Sequence, residues 1–196
     1  MSIKIVLCGP PKSGKSTLRE GLKQALMRMP GTPYPYVITA CPDGEGAWFQ
    51  ETARRSPEEA RRLKEEYKRS LGGFTPPQVE KFATWVRECR LPLTLIDIGG
   101  IPSQENKIIC RYATHSIILY TNESNRKEWR AFCEELGLTV IAEIFSNYYG
   151  KADVVEGEGP DGVLRGSIHH LERGEDVSGR PMILALARKV ISLLNP

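Results

Sequence analysis

The run Gly9-Pro10-Pro11-Lys12-Ser13-Gly14-Lys15-Ser16-Thr17 has the spacing G-x-x-x-x-G-K-S. In such a loop, backbone amides and the positive end of a following helix surround phosphate oxygens. Lys15 is expected to reach the β- and γ-phosphates of ATP, and the Ser16 hydroxyl to ligate Mg²⁺. Gly9 and Gly14 let the backbone turn tightly and approach a ligand closely. The flanking sequence fits: Ile3, Ile5, Val6 and Leu7 read as a buried strand, and Leu18, Leu22, Ala25, Leu26 and Met29 recur at helical spacing.

Phosphate chemistry also needs a carboxylate near the metal, usually at the end of an apolar strand. Asp97 follows Leu93, Leu95 and Ile96, and Ile98-Gly99-Gly100 completes D-x-x-G. That turn resembles the one by which GTPases and metabolism ATPases contact a γ-phosphate. Asp97 is therefore expected to hold Mg²⁺ through water, and the Gly100 amide to sense the terminal phosphate. The plainer alternative is an Asp capping a turn. Asp43-Gly44-Glu45-Gly46 follows a second apolar run. Asp43, or else Glu45, is a candidate general base for an acceptor hydroxyl, with Trp48 and Phe49 as an aromatic wall. An exposed acidic turn explains the same residues. Asn147, in Phe145-Ser146-Asn147-Tyr148-Tyr149, is a candidate base contact. No N-K-x-D follows it, which favours ATP over GTP.

Two basic groups remain: Arg54, Arg55, Arg61 and Arg62, and Arg165, His169, His170 and Arg173. The first resembles the mobile arginines of a kinase lid, and the second could hold an anionic substrate or cover the nucleotide. Both together could bind RNA or a cyclic oligonucleotide, and either could be a solvated face. Alternation in a strand would put Arg165, His169 and Arg173 on one side. Net charge argues little, since 27 Lys and Arg face 24 acids, giving +3. The five cysteines form no C-x-x-C pair and no zinc-like cluster, so a reduced, cytoplasmic protein with structural thiols is expected. Cys8 and Cys41 each end an expected strand near the site. No apolar run is long enough for a secretion signal or a membrane span.

The elements that must position these groups alternate along the chain. Strands are expected at 3–8, 36–40, 93–98, 115–120 and 138–144, with a short strand at Val163–Leu171 in an otherwise polar, Gly-rich stretch. Helices are expected at 15–29, after Ser56-Pro57-Glu58-Glu59, after Thr75-Pro76-Pro77-Gln78, around Trp129–Leu136, and at the C-terminus over Ile183–Leu194. Strands apolar almost throughout indicate a parallel sheet covered on both faces. The fold class expected is thus α/β: a P-loop NTPase three-layer sandwich with a mostly parallel five-stranded core sheet and an additional edge strand near the C-terminus. A length of 196 residues fits one domain over 1–196.

The combined string is more specific than the loop alone. It joins Gly9–Ser16, Ala40-Cys41-Pro42-Asp43-Gly44-Glu45-Gly46, Ile96-Asp97-Ile98-Gly99-Gly100-Ile101-Pro102-Ser103, Glu128-Trp129-Arg130, Ala142-Glu143-Ile144, Gly166-Ser167-Ile168-His169 and Leu171-Glu172-Arg173-Gly174-Glu175-Asp176. Over almost the whole chain this resembles the P-loop ATPase-type domain of type III CRISPR systems, which is often fused to a ring nuclease that degrades cyclic oligoadenylates. The residues themselves lead to the expectation of a Mg²⁺-ATP-dependent phosphotransferase or ATPase. The alternatives are a nucleotide-dependent switch or a cyclic-oligonucleotide- or RNA-binding accessory protein. The resemblance implies a place beside type III CRISPR signalling, with a cyclic-oligoadenylate ring nuclease or another CRISPR component as partner. Met1 leads directly into the first strand, so a free-standing version or an excised domain is expected, and ring-nuclease activity is not carried over. The D-x-x-G turn and the lack of a clear arginine finger set the chain apart from AAA proteins.

Overall fold

Seven strands, five of them from short apolar runs bounded by turn residues, form in a computed structural model, which describes residues 2–41, 52, 55, 56, 58–60, 62, 63 and 75–194. In chain order these are β1 (Ile3–Cys8), α1 (Lys15–Met27), β2 (Tyr36–Ala40), α2 (Pro76–Glu88), β3 (Leu93–Ile98), α3 (Gln104–Cys110), β4 (His115–Tyr120), α4 (Glu123–Glu135), β5 (Thr139–Asn147), β6 (Val154–Glu158), β7 (Leu164–His169) and α5 (Pro181–Leu194). They form one sheet in the order β2-β3-β1-β4-β5-β7-β6. All neighbours run parallel except β6 and β7.

Alternation within the central strands sorts side chains to two faces. Ile3, Ile5 and Leu7 pack with Leu18 and Leu22 of α1 and Ile183 and Leu186 of α5. Val6 and Cys8 pack with Val79 and Val86 of α2, Ile109 of α3, and Trp129 and Phe132 of α4. Helices therefore cover both faces, as the apolar strands require. Caps fix where the helices begin: Thr75 N–H donates to Gln78 Oε1 at 3.0 Å, and Ser103 and Asn122 accept from Asn106 and Asn125. The helix expected after Ser56 lies mostly outside the described residues; inside them, the Glu59 amide donates to Ser56 Oγ at 3.3 Å. None of the described helices is long and apolar enough to cross a membrane.

The sheet is larger than the sequence reading gave. The strand expected at Val163–Leu171 forms as β7, but it lies inside the sheet, parallel to β5. The edge is β6, which pairs antiparallel to β7 with an irregularity between Val155 and Gly157. This strand is mostly exposed, so it carries no apolar alternation to betray it. The short helix α3 was also not expected.

Charge in this half of the sheet is organised around one buried carboxylate. Glu143, 1% exposed, accepts from Arg126 at 2.9 Å and Arg130 at 3.0 Å, and Arg165 lies 3.4 Å away. Arg165 also pairs with Asp161 at 2.6 Å. Arg165 is therefore engaged in holding β7 against β5 and α4. Glu143→Gln should destabilise the fold by about 2 kcal/mol, less than a fully buried pair would lose because the three guanidiniums are partly solvated. Urea unfolding of the two proteins measures this, and equal midpoints would refute it.

Candidate functional site

The loop Gly9–Gly14 connects the buried end of β1 to the N-terminus of α1. Lys12 and Gly14 both adopt left-handed backbone, at φ 62° and 90°. For Lys12 this conformation costs of order 1 kcal/mol, and the curled backbone it creates suits an anion. A side chain on Gly14 would run into Leu171, with a Cβ only 2.6 Å from the Leu171 Cβ. The loop is held from outside as well, since Ser146 Oγ at the end of β5 donates to the Ser13 carbonyl at 2.8 Å.

Lys15 is nearly buried, and its ammonium donates to the carbonyls of Gly9 at 2.8 Å and Pro10 at 3.1 Å. It is thereby fixed against the loop backbone. Ser16 Oγ donates to Asp97 Oδ2 at 3.0 Å. Asp97 reaches this position because β3 lies between β1 and β2, with Leu7 as its register partner on one side and Thr39 on the other. Gly100 presses on the loop itself: a Cβ there would lie 2.5 Å from Pro11 N and 2.9 Å from the Pro10 carbonyl carbon. Lys15, Ser16, Asp97 and Gly100, far apart in sequence, thus meet at the carboxyl ends of β1 and β3. Ligands bind at this edge in open α/β sheets.

Other expected residues are placed differently. Asp43, Glu45, Trp48, Phe49, Arg54 and Arg61 lie outside the described residues, while Arg55 and Arg62 are exposed. Asn147 ends β5 in a turn, exposed, its carbonyl accepting from the amides of Gly150 at 3.0 Å and His170 at 3.2 Å. The exposed rings of Tyr148 and Tyr149 and the His170 ring cluster beside it, with centroids 4.8–5.4 Å apart. In β7, Arg165 and His169 do share one face, but Arg173 lies beyond the strand. His169 is bound through Nδ1 to the buried Asp153 carboxylate at 2.6 Å. Cys41 does lie near the site, its thiol donating to the Asp97 carbonyl at 3.5 Å. Cys8 instead points into the core, 3.9 Å from the Cys133 sulfur. Burial, and then the neighbouring Cys133 thiol, push the Cys8 thiol well up, which keeps it protonated and inert. All five cysteines are free.

Three supporting residues escaped sequence reasoning. Ser146 and Leu171 brace the loop as described. Asn106 of α3 donates to the carbonyls of Gly99 at 3.2 Å and Ile101 at 2.7 Å, fixing the D-x-x-G turn. A fourth, Arg19, sits one helical turn after Ser16. It is 1% exposed and donates to Asp97 Oδ2 at 3.2 Å. Only its i+3 spacing from Ser16 could have signalled it.

No family model and no curated protein matches this chain. Among solved structures, a plasmid partition protein of Borrelia burgdorferi B31, bound to AMPPNP, superposes with a TM-score of 0.59 at 11% identity, over 99% of this chain and 98% of that one. A sugar kinase from Janibacter sp. HTCC2649 gives a TM-score of 0.38 at 12% identity, over 100% of this chain and 95% of that one. With the loop, the parallel sheet and the helices on both faces, the fold is that of a P-loop NTPase.

Proposed function

We propose that the protein is a Mg²⁺-ATP-dependent P-loop phosphotransferase or ATPase, acting in or beside type III CRISPR signalling. The observation that carries the enzymatic part is the convergence of Lys15, Ser16, Asp97 and Gly100 on one loop. The nucleotide analogue bound by the Borrelia partition protein supports ATP as the ligand. The motif resemblance to the CRISPR-associated domain supports the setting.

The residues present fit a Mg²⁺ ion. Ser16 Oγ and Asp97 Oδ2 are hard oxygen donors already 3.0 Å apart. Mg²⁺ typically takes one or two protein oxygens and fills its other positions with water and phosphate. When bound, it would neutralise charge developing on the phosphate oxygens. Lys15 would bind and orient the β- and γ-phosphates. The loop amides would hold the phosphate chain, and the Gly100 turn would contact its terminal group. Asn147 would lie near the base. Asp43 or Glu45 would take the proton of an acceptor hydroxyl, if the reaction is transfer rather than hydrolysis. Positioning and charge neutralisation make up most of phosphoryl-transfer catalysis.

A second reading, a nucleotide-dependent switch, is favoured by the contact between Gly100 and Pro10–Pro11, which would pass a change at the terminal phosphate into the turn before α3. One experiment tests both readings. The protein is incubated with Mg²⁺ and γ-labelled ATP, with and without nucleosides, short RNAs and cyclic oligoadenylates, and labelled products are separated from free phosphate. Label on an acceptor identifies a kinase. Free phosphate alone supports an ATPase or a switch. No nucleotide binding or turnover, with or without a ring-nuclease partner, refutes the proposal.

A further inference from the structure

Asp97 has a permanent cation beside it, and that cation comes from α1. Arg19 reaches from the second turn of the helix, and its Nη1 donates to Asp97 Oδ2 at 3.2 Å. Ser16 donates to the same oxygen. Both members of the ion pair are 1% exposed. The same nitrogen lies 3.5 Å from Thr39 Oγ1, on the strand that leads toward Asp43, and Nη2 is 3.8 Å from Glu20.

This pair is poorly built if its purpose is stability. Burying two charges carries a large desolvation penalty, offset only by excellent geometry and further hydrogen bonds. The Glu143 cluster meets that standard, with three guanidiniums around one carboxylate. The Arg19 pair does not. Its Nε is buried without a hydrogen-bond partner among the described residues, and its contact with Thr39 is long. A solvated residue at this position would spare the fold that burden. What the pair does achieve is local: it pins Asp97 Oδ2 at the place where Ser16 also donates to it.

We propose that Arg19 is a positioning residue for the metal, holding the Asp97 carboxylate in place and aimed at Ser16 before a metal–nucleotide complex arrives. This rests on the Mg²⁺-ATP reading of the site. Arg19 touches neither Lys15 nor the loop in the contacts described, so its effect should be confined to the metal-dependent part of binding. Residues that orient metal ligands typically change metal affinity by about 10–100-fold when removed.

The test uses a fluorescent ATP analogue, titrated with Mg²⁺ and, separately, in EDTA. Arg19→Met should raise the half-saturating Mg²⁺ concentration by at least about tenfold while leaving affinity in EDTA unchanged. Arg19→Lys, which keeps the charge, should restore most of the loss. The neutral pair Arg19→Met with Asp97→Asn removes both buried charges and keeps the question open to measurement even if Arg19→Met alone folds poorly. It should show the same Mg²⁺ dependence as Asp97→Asn alone. Unaltered Mg²⁺ dependence in Arg19→Met, a parallel loss in EDTA, no rescue by lysine, or a difference between the double variant and Asp97→Asn would each overturn the assignment of Arg19 alone. Wild-type protein that binds no nucleotide in either medium would overturn the function proposed above together with it.

Discussion

Lys15→Ala is expected to lower ATP turnover by about 10²–10³-fold, the usual effect of removing one preorganised donor from a developing phosphate or oxyanion charge. The structure explains the size. The ammonium is nearly buried and fixed to the carbonyls of Gly9 and Pro10, so water cannot replace it cheaply and no reorganisation precedes its use. The same substitution removes two hydrogen bonds that brace the loop, which should reduce stability by about 1–2 kcal/mol. Single-turnover assays with γ-labelled ATP, paired with urea unfolding, separate the two effects. Turnover within about threefold of wild type, in a variant that remains folded, would remove Lys15 from the mechanism.

Gly100→Ala is expected to weaken nucleotide binding or turnover by about 10²-fold, the consequence of displacing a reacting group by roughly 1 Å. The new methyl would meet Pro11 N at 2.5 Å, Pro11 Cδ at 2.8 Å and the Pro10 carbonyl carbon at 2.9 Å. These are backbone and ring atoms without a rotamer to change, so the loop must move as a body. Overpacking of this kind also destabilises by about 1–3 kcal/mol. Gly179→Ala is a suitable control, because nothing lies within 4 Å of a Cβ there. Equal ATP affinity and turnover in Gly100→Ala and Gly179→Ala would show that the D-x-x-G turn and the loop act independently.

Much of the frame was legible from local pattern. The strands at Ile3–Cys8, Tyr36–Ala40, Leu93–Ile98 and His115–Tyr120 form where apolar runs meet turn residues. The loop and Asp97 could be read because G-x-x-x-x-G-K-S and D-x-x-G are fixed orders of residue types that each follow an apolar run. Strand β6 was not legible. It is mostly exposed, so no burial constraint writes an alternating pattern into it. The helix α3 is short, and its role depends on Asn106, whose two acceptors belong to a turn defined only in the folded chain.

The basic groups show the limit of reading charge from sequence. Arg165 and His169 share one face of their strand as the alternation predicted, yet each has a carboxylate partner that arrives from elsewhere: Glu143 and Asp161 for Arg165, Asp153 for His169. A charge's availability depends on what packs against it. The same holds for Asn147, expected as a base contact, which ends β5 with its carbonyl drawn into a turn with Gly150 and His170.

By itself, the sequence determined that this chain makes a G-x-x-x-x-G-K-S loop between a strand and a helix, with a carboxylate at the end of a later strand. Those features are local, set by residue type and by the 2.0 and 3.6 periods of strand and helix. Only the tertiary structure decided that Asp97 stands 3.0 Å from Ser16, that Gly100 touches the loop, and that Arg19 is buried against the same carboxylate. Each of these depends on strand order, since β3 must lie beside β1 for Asp97 to meet α1. Strand order is fixed by packing between segments distant in sequence, which no local pattern records.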